Sequence, residues 1–546
     1  MSLSKSLLDL VVPFVPRLKW RRELRARWGR PGEGEGARAG WYFDLHRRQL
    51  EPAAVVDDKT WSDLEFPAFF NALDTTLTPV GRQCLFDRLR VYQFEPSEIG
   101  ARCQTYAILQ SRPRLREDLQ LALKPLEVDA AAYIADLLLG PEPARLSQQH
   151  LLLPWTLITV GGIAAAIAHL VPVWLCLLPL LVNLVIWYRI DAKLAEDVTA
   201  LLHCGRMLRV ANRLVRVGEA MPALARLAAE RPVLRKLAGQ IRWLSVFDRL
   251  RSAELVGGLF VVADAFFLLK LWLYARALAR FRAHRTLWLP VFESIGEVDA
   301  AIAVANFLAR YPVHCRPTVT DARALEIVNG YHPFIADPTK NSISLDHTSA
   351  LVTGSNMTGK TTFIKMIAMN VILGHTLGIC LADRVTLPRS PVRALIHGDQ
   401  SVRSGKSRYF AEAEGICGFI SESAAGTCRL FVLDEPFSGT NTVERIAIAK
   451  AVLRALSVNA QLLVTTHDVE LQHLLGERFG LFFFQENPAV EGYFDHLLRA
   501  GVGTQRNAIR VLERLGLPPD IIAEAMATVP GVAISQIRRT GGDSAD

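Results

Sequence analysis

"LVTGSNMTGKTTFIKM", residues 351–366, is the stretch that decides the fold. An apolar, β-branched run ends in a glycine loop, and an amphipathic helix, "KTTFIKMIAMNVIL", follows at once. Gly354 to Thr361 fits GxxxxGK(S/T) at every fixed position. Glycines let backbone N–H groups close around phosphates, and the helix that follows directs its positive end at them. Lys360 is placed to reach the β- and γ-phosphates of ATP, and Thr361 to offer its hydroxyl to Mg²⁺.

A second stretch answers the first. In "CRLFVLDEPFSGT", residues 428–440, a continuous apolar strand from Leu430 to Leu433 runs into Asp434 and Glu435. Fully buried parallel strands read this way, and ligands sit at their carboxyl ends. Asp434 suits the Mg²⁺ shell, and Glu435 suits the acceptance of a proton from an attacking water. A third strand, "QLLVTTH", delivers His467 to the same edge, where it is placed to sense the γ-phosphate. Alone, an Asp-Glu pair reads as a surface turn and a histidine as a structural residue. Together with the glycine loop they read as a nucleotide site with Glu435, Lys360 and His467 in catalysis.

The bulk numbers place this site in a larger molecule. A chain of 546 residues is long enough for two to four domains. Half of it is hydrophobic, 21% is charged and the mean hydropathy is +0.20, a balance that favours some membrane-embedded sequence. The net charge of +8 suits anionic partners, either nucleic acid or an acidic lipid surface. Eight scattered cysteines without a CxxC pair read as reduced thiols facing a cytosol. The N-terminus, with Asp9 in a short apolar run and its basic cluster afterwards, is a poor signal peptide.

From Leu151 to Tyr188 the chain carries no Asp, Glu, Lys or Arg. About 38 such residues fit two spans of roughly 18, turning near Pro172. Trp155, Trp187 and Tyr188 would anchor them at one interface, with Arg145, Arg189 and Lys193 on the cytoplasmic side. The alternative is a buried helical hairpin in a large core. A second apolar run, 255–278, contains Asp264 and Lys270 and reads as a buried or interfacial helix rather than a third span. The basic N-terminal cluster around Trp20 and Trp28 suits an acidic membrane surface or a disordered tail.

At these residues the chain resembles the ATPase of the MutS mismatch-repair family. "TGSNMTGKTT" is similar to that family's P-loop, "LDEPFSGTN" to its DEIGRGTS, and "VTTHDVEL" to its ATHYxEL. "SGKSRYFAEAE", 404–414, looks like the family's signature segment, and "GVGTQRNAIRVLERLGLPPDIIAEA" like its closing stretch. These follow the family's order across 320–527, and weaker likeness to its helical core begins at "TLTPVGRQCLF" and returns at "IGEVDAAIAVANFLA". The resemblance implies a homodimer through the ATPase domains, closed by ATP, in which Ser404, Gly405 and Ser407 contact the γ-phosphate held by the other copy. Their bland reading is a helix N-cap. The chain departs from the family in having no mismatch-reading domain before the core. Where the family's adenine-stacking aromatic should precede Asn341, it has Pro338-Thr339-Lys340, leaving Tyr331 or Phe334 as substitutes.

The expected fold is therefore an α/β P-loop NTPase at the C-terminus, after an all-α core interrupted by a transmembrane helical hairpin. The segments are 1–60 basic, 61–148 first helical part, 149–190 hairpin, 191–318 second helical part, 319–530 ATPase and 531–546 tail. ATP and Mg²⁺ would be held by Gly354, Ser355, Asn356, Met357, Thr358, Gly359, Lys360, Thr361 and Thr362, with Thr361 and Asp434 on the metal. The expected function is a membrane-anchored ATPase switch, with both termini in the cytoplasm, acting on DNA without reading mismatches. Two other classes compete: an ABC-type transporter, disfavoured by two spans and no LSGGQ, and a regulatory scaffold with little turnover.

Overall fold

The computed structural model describes residues 14–32, 38–140, 152–218, 221–240, 263–264, 266–355, 357–396, 408–487, 494–503 and 516–528. Two compact units emerge: one of Met1–Arg316 with Ile372–Ile379, the other of Pro317–Val371 with Cys380–Asp546.

The first unit is built of helices. Its principal ones are α1 (Phe14–Arg27), α2 (Pro79–Arg90), α3 (Pro96–Ser111), α4 (Pro113–Leu123), α5 (Leu152–Ile167), α6 (Val173–Val217), α7 (Leu269–Ala283) and α8 (Arg285–Arg310). Helix α2 starts where it does because Thr78 caps it. Its hydroxyl accepts from Gly81 N at 2.9 Å, and Pro79 supplies a preset first turn. Beneath that turn lies Asp299 of α8, fully buried, taking Leu77 N at 3.1 Å, Thr78 N at 2.8 Å and the Thr78 hydroxyl at 2.7 Å.

Helices α2 and α8 approach closely enough to need glycine on both. A Cβ on Gly296 would lie 2.1 Å from Cys84 Sγ, and one on Gly81 2.2 Å from Asp299 Oδ2. Gly296→Ala is expected to destabilise this unit by about 1–3 kcal/mol through overpacking. Urea unfolding followed by tryptophan fluorescence measures it cleanly, since all ten tryptophans lie before Pro317.

The transmembrane hairpin is corrected here. Among the described residues no helix is long and apolar enough to cross a membrane. Helix α5 has 16 residues, about 24 Å of rise against a hydrocarbon core of about 30 Å. Helix α6 is 45 residues long, but its uncharged part ends before Arg189 and contains Pro179. The expected interfacial anchor Trp155 instead donates to Asn183 Oδ1 at 2.6 Å, and Asn183, 1% exposed, donates to Phe266 O. Trp272 Nε1 donates to Thr156 Oγ1 at 2.9 Å. The charge-free run thus forms two helices tied by polar side chains to the segment near 266–272. The membrane localisation that rested on the hairpin falls with it. Leu157, Ile167, Leu170, Trp174 and Leu178 remain more than half exposed.

The basic cluster is not a loose tail over the described part. Helix α1 lies on α4: Arg25 pairs with the buried Glu117, Arg21 with Asp118, and Arg116 stacks on Trp28. Lys124 sits over Trp20 at 4.4 Å. The run 255–278 is described only from 263, with Asp264 buried and α7 beginning at Leu269.

The second unit holds two sheets. Strands β1 (Thr318–Thr320), β2 (Ala324–Gly330), β3 (Asn341–Asp346), β4 (Ser349–Thr353), β5 (Arg384–Pro388), β6 (Val392–Leu395), β7 (Leu430–Asp434), β8 (Gln461–Thr466), β9 (Phe479–Phe483) and β10 (Arg499–Ala500) follow in order. One sheet runs β1-β5-β2-β3 and the other β10-β9-β4-β8-β7-β6. In the larger sheet all pairings are parallel except β10 with β9. Strands β4, β7 and β8 are buried at every position, as strands covered on both faces must be. Their helices are α9 (Lys360–Thr376), α10 (Arg408–Ala425) and α11 (Thr442–Leu456), the last capped by Asn441 on Glu444 N.

Candidate nucleotide site

Register brings the pieces together. Thr353 pairs with Thr466 and Asp434 with Thr465, so β4, β7 and β8 end level at one edge. The glycine loop, Asp434-Glu435 and His467 all leave the sheet there.

The loop between β4 and α9 turns through Gly354 (φ +151°) and Gly359 (φ +104°). A Cβ on Gly354 would press 2.9 Å from the Phe484 carbonyl, which fixes glycine there. Thr358, nearly fully buried, donates its hydroxyl to Ser355 O at 2.8 Å. Lys360 is folded back across the loop, with Nζ donating to Gly354 O at 2.8 Å and Ser355 O at 3.0 Å. Its ammonium is pushed below the usual lysine range by burial, against the pull of Glu435 and Asp434. Ser355 donates to Glu486.

Thr361 Oγ1 donates to Asp434 Oδ2 at 2.9 Å, and the other Asp434 oxygen accepts from Thr465. Hydroxyl and carboxylate oxygens are the donors a Mg²⁺ ion takes, so Thr361 and Asp434 fit the ion expected of them. Glu435 Oε1 lies 2.5 Å from His467 Nε2 and 3.7 Å from Lys360 Nζ. Glu435 (φ +49°) and Phe437 (φ +64°) both take the left-handed conformation, and Glu412 receives Phe437 N.

Lys360, Thr361 and Glu435 open onto a cavity of about 320 Å³ lined also by Tyr331, Ile335, Asn341, Met357, Thr362 and His496. Of the two aromatics that stood in for an adenine contact, Tyr331 lines the cavity; Phe334 is not among its lining residues and is 40% exposed. His496 is a site residue that sequence reasoning misses. Its Nδ1 meets Thr358 O at 3.1 Å and its carbonyl accepts from Asn341 Nδ2 at 2.9 Å. It reaches the loop only because the chain returns past β9, and no local spacing marks it. Asn356 and the signature residues Ser404, Gly405 and Ser407 lie outside the described residues.

Residues 350–532 match the family model of MutS domain V. The DNA mismatch repair protein MutS of Thermus aquaticus is 29% identical over 245 residues, covering 44% of this chain and 30% of that protein. That of Natronomonas pharaonis is 29% identical over 253 residues, covering 44% and 29%. That of Dinoroseobacter shibae is 30% identical over 274 residues, covering 46% and 30%. The chain thus spans under a third of the length of these relatives. Over residues 350–532 the chain is similar to MutS domain V.

Proposed function

We propose that the second unit is a Mg²⁺-dependent ATPase that switches a dimer, and that the molecule acts on nucleic acid. The observation that carries the first part is that Lys360, Thr361 and Glu435 line one cavity, with Asp434 bonded to Thr361 and His467 against Glu435. Bound ATP·Mg²⁺ would supply a polarised γ-phosphoryl group open to in-line attack. Lys360 would exchange its two loop carbonyls for phosphate oxygens. Asp434 and Thr361 would hold the ion. Glu435 would take the proton of the attacking water, held in place by His467.

Ser404, Gly405 and Ser407 of a second copy would complete each site, a reading that rests on resemblance. The transporter reading loses ground with the spans it required. The scaffold reading stays open to the same assay.

Charge distribution supports the nucleic-acid partner. Residues 14–30 and 112–124 contain eleven basic and three acidic residues, which equals the net +8 of the whole chain. Lys19, Arg22, Arg25, Arg27, Arg30, Arg112 and Arg114 are exposed on the α1–α4 pair. Such a face neutralises backbone phosphates and makes binding steeply salt-dependent. Replacing Arg22 and Arg27 by Ala should flatten the slope of log K against log salt by about one for each phosphate no longer neutralised. Fluorescence anisotropy with duplex DNA across a salt series checks it; an unchanged slope removes this face from the interface.

The deciding experiment is ATP hydrolysis by the purified chain beside Lys360→Ala, alone and with duplex, mismatched and branched DNA. Turnover abolished by Lys360→Ala and stimulated by DNA supports both parts. Turnover indifferent to every DNA leaves the ATPase and removes the nucleic acid. Absence of turnover leaves only an ATP-binding scaffold.

A further inference from the structure

Of the twenty-seven large apolar side chains exposed among the described residues, fourteen lie between positions 157 and 188, on α5, the turn after it and the start of α6. Burial sorts this part of α6 into two faces. Asn183, bound to Trp155 and the Phe266 carbonyl, marks the inward one. At about 100° per residue, Trp174, Leu178, Leu181, Val185 and Tyr188 all fall within about 40° of the opposite direction. They are 68%, 66%, 58%, 54% and 78% exposed. A surface helix ordinarily carries one apolar stripe, turned to the core, with polar residues opposite. Here the outward face is apolar as well, and its 4-3-4-3 spacing is that of the seam along which one helix packs against another over two heptads.

Charge and area specify what fits this seam. From Leu151 to Tyr188 there is no Asp, Glu, Lys or Arg, so an acidic or basic partner finds nothing to pair with. The matching surface has to be uncharged and apolar over the same length, about 21 Å. The five side chains expose on the order of 600 Å², as much as the largest apolar patch of a typical monomer. With Leu177 and Leu184, 53% and 43% exposed beside them, they approach the roughly 800 Å² that each partner contributes to a stable interface. A second copy of α6 meets both conditions, because a two-fold axis sets the same seam against itself.

We propose that α6 pairs with α6 of a second copy along 174–188, a contact within the helical unit that is separate from any closure at the nucleotide site. Leu181 is the middle residue of the seam. It meets its own counterpart whether the two helices run parallel in register or antiparallel.

The test uses the full chain without nucleotide, so a failure of the ATPase reading leaves its result untouched. Leu181→Cys is treated with a short bismaleimide and the products are mapped by peptide mass spectrometry. A link joining position 181 of two copies is expected as the main product between copies, ahead of links through the exposed Cys417. Adding Leu178→Glu and Val185→Glu, both at exposed positions, should lower its yield at least about tenfold, because four carboxylates would enter an apolar contact. Should the glutamates disturb folding, the comparison is made with Val458→Cys, 57% exposed in the other unit, whose 458–458 link should be at least about tenfold scarcer. Absence of the 181–181 link, a yield that the glutamates leave unchanged, or an equal yield at 458 overturns the proposal. Loss of the link on adding phosphatidylcholine vesicles that take up the chain would assign the seam to lipid and overturn it as well.

Discussion

Replacing Glu435 by Gln is expected to lower ATP turnover by about 10²–10⁴-fold, the usual contribution of a positioned general base, with ATP affinity little changed. The amide keeps the size of the side chain and can still accept a hydrogen bond from His467, but it cannot take a proton. Lys360, Thr361 and Asp434, which would hold phosphate and ion, keep their own partners: Lys360 on Gly354 and Ser355, Thr361 on Asp434. Steady-state hydrolysis together with equilibrium binding of a fluorescent ATP analogue separates the two effects. Equal losses in both would mean that Glu435 shapes the pocket instead of acting in it.

The second large effect concerns stability. Asp299→Ala should destabilise the helical unit by about 3–9 kcal/mol, because three donors, two of them fully buried, lose their acceptor at about 1–3 kcal/mol each. Those donors are Leu77 N, Thr78 N and the Thr78 hydroxyl, which together start α2. The wild type carries a related pH signature. Burial raises the Asp299 carboxyl to about 6 in the folded protein. The folded state then holds this proton more tightly than the unfolded chain, so the contribution favours folding at low pH and is lost as pH rises through 6. Between pH 5 and 7.5 the loss is about 1–1.5 kcal/mol. Urea unfolding by tryptophan fluorescence across that range measures it. Asp299→Asn should remove this component, and a variant with the same pH slope as the wild type would assign the effect to another group.

The candidate site was legible in the sequence where local pattern and chemistry coincide. Five consecutive apolar or small residues before Gly354, and Leu430 to Leu433 before Asp434, can only be buried strands if a glycine loop and an acidic pair follow them at one sheet edge. His467 was legible for the same reason. What failed was length. From Leu151 to Tyr188 the absence of charge reads as depth in a bilayer, but polarity can be satisfied without charge. Asn183 is buried between Trp155 and the Phe266 carbonyl, and His169 (φ +57°) with Pro172 breaks the run into pieces too short to span. His496 was invisible for another reason. It meets Thr358 and Asn341, far back in the chain, and a single sequence carries no trace of that proximity.

The left-handed backbone at Glu435 and Phe437 has an evolutionary consequence. Neither residue is glycine, and holding a non-glycine residue in that region costs on the order of 1 kcal/mol. Glu435→Gly would relieve the backbone while deleting the carboxylate proposed to accept the proton. Selection for thermal resistance alone would therefore tend to drift toward inactive sequences at this turn. A library of this chain screened only for folding should enrich glycine at position 435, and one screened for turnover should exclude it.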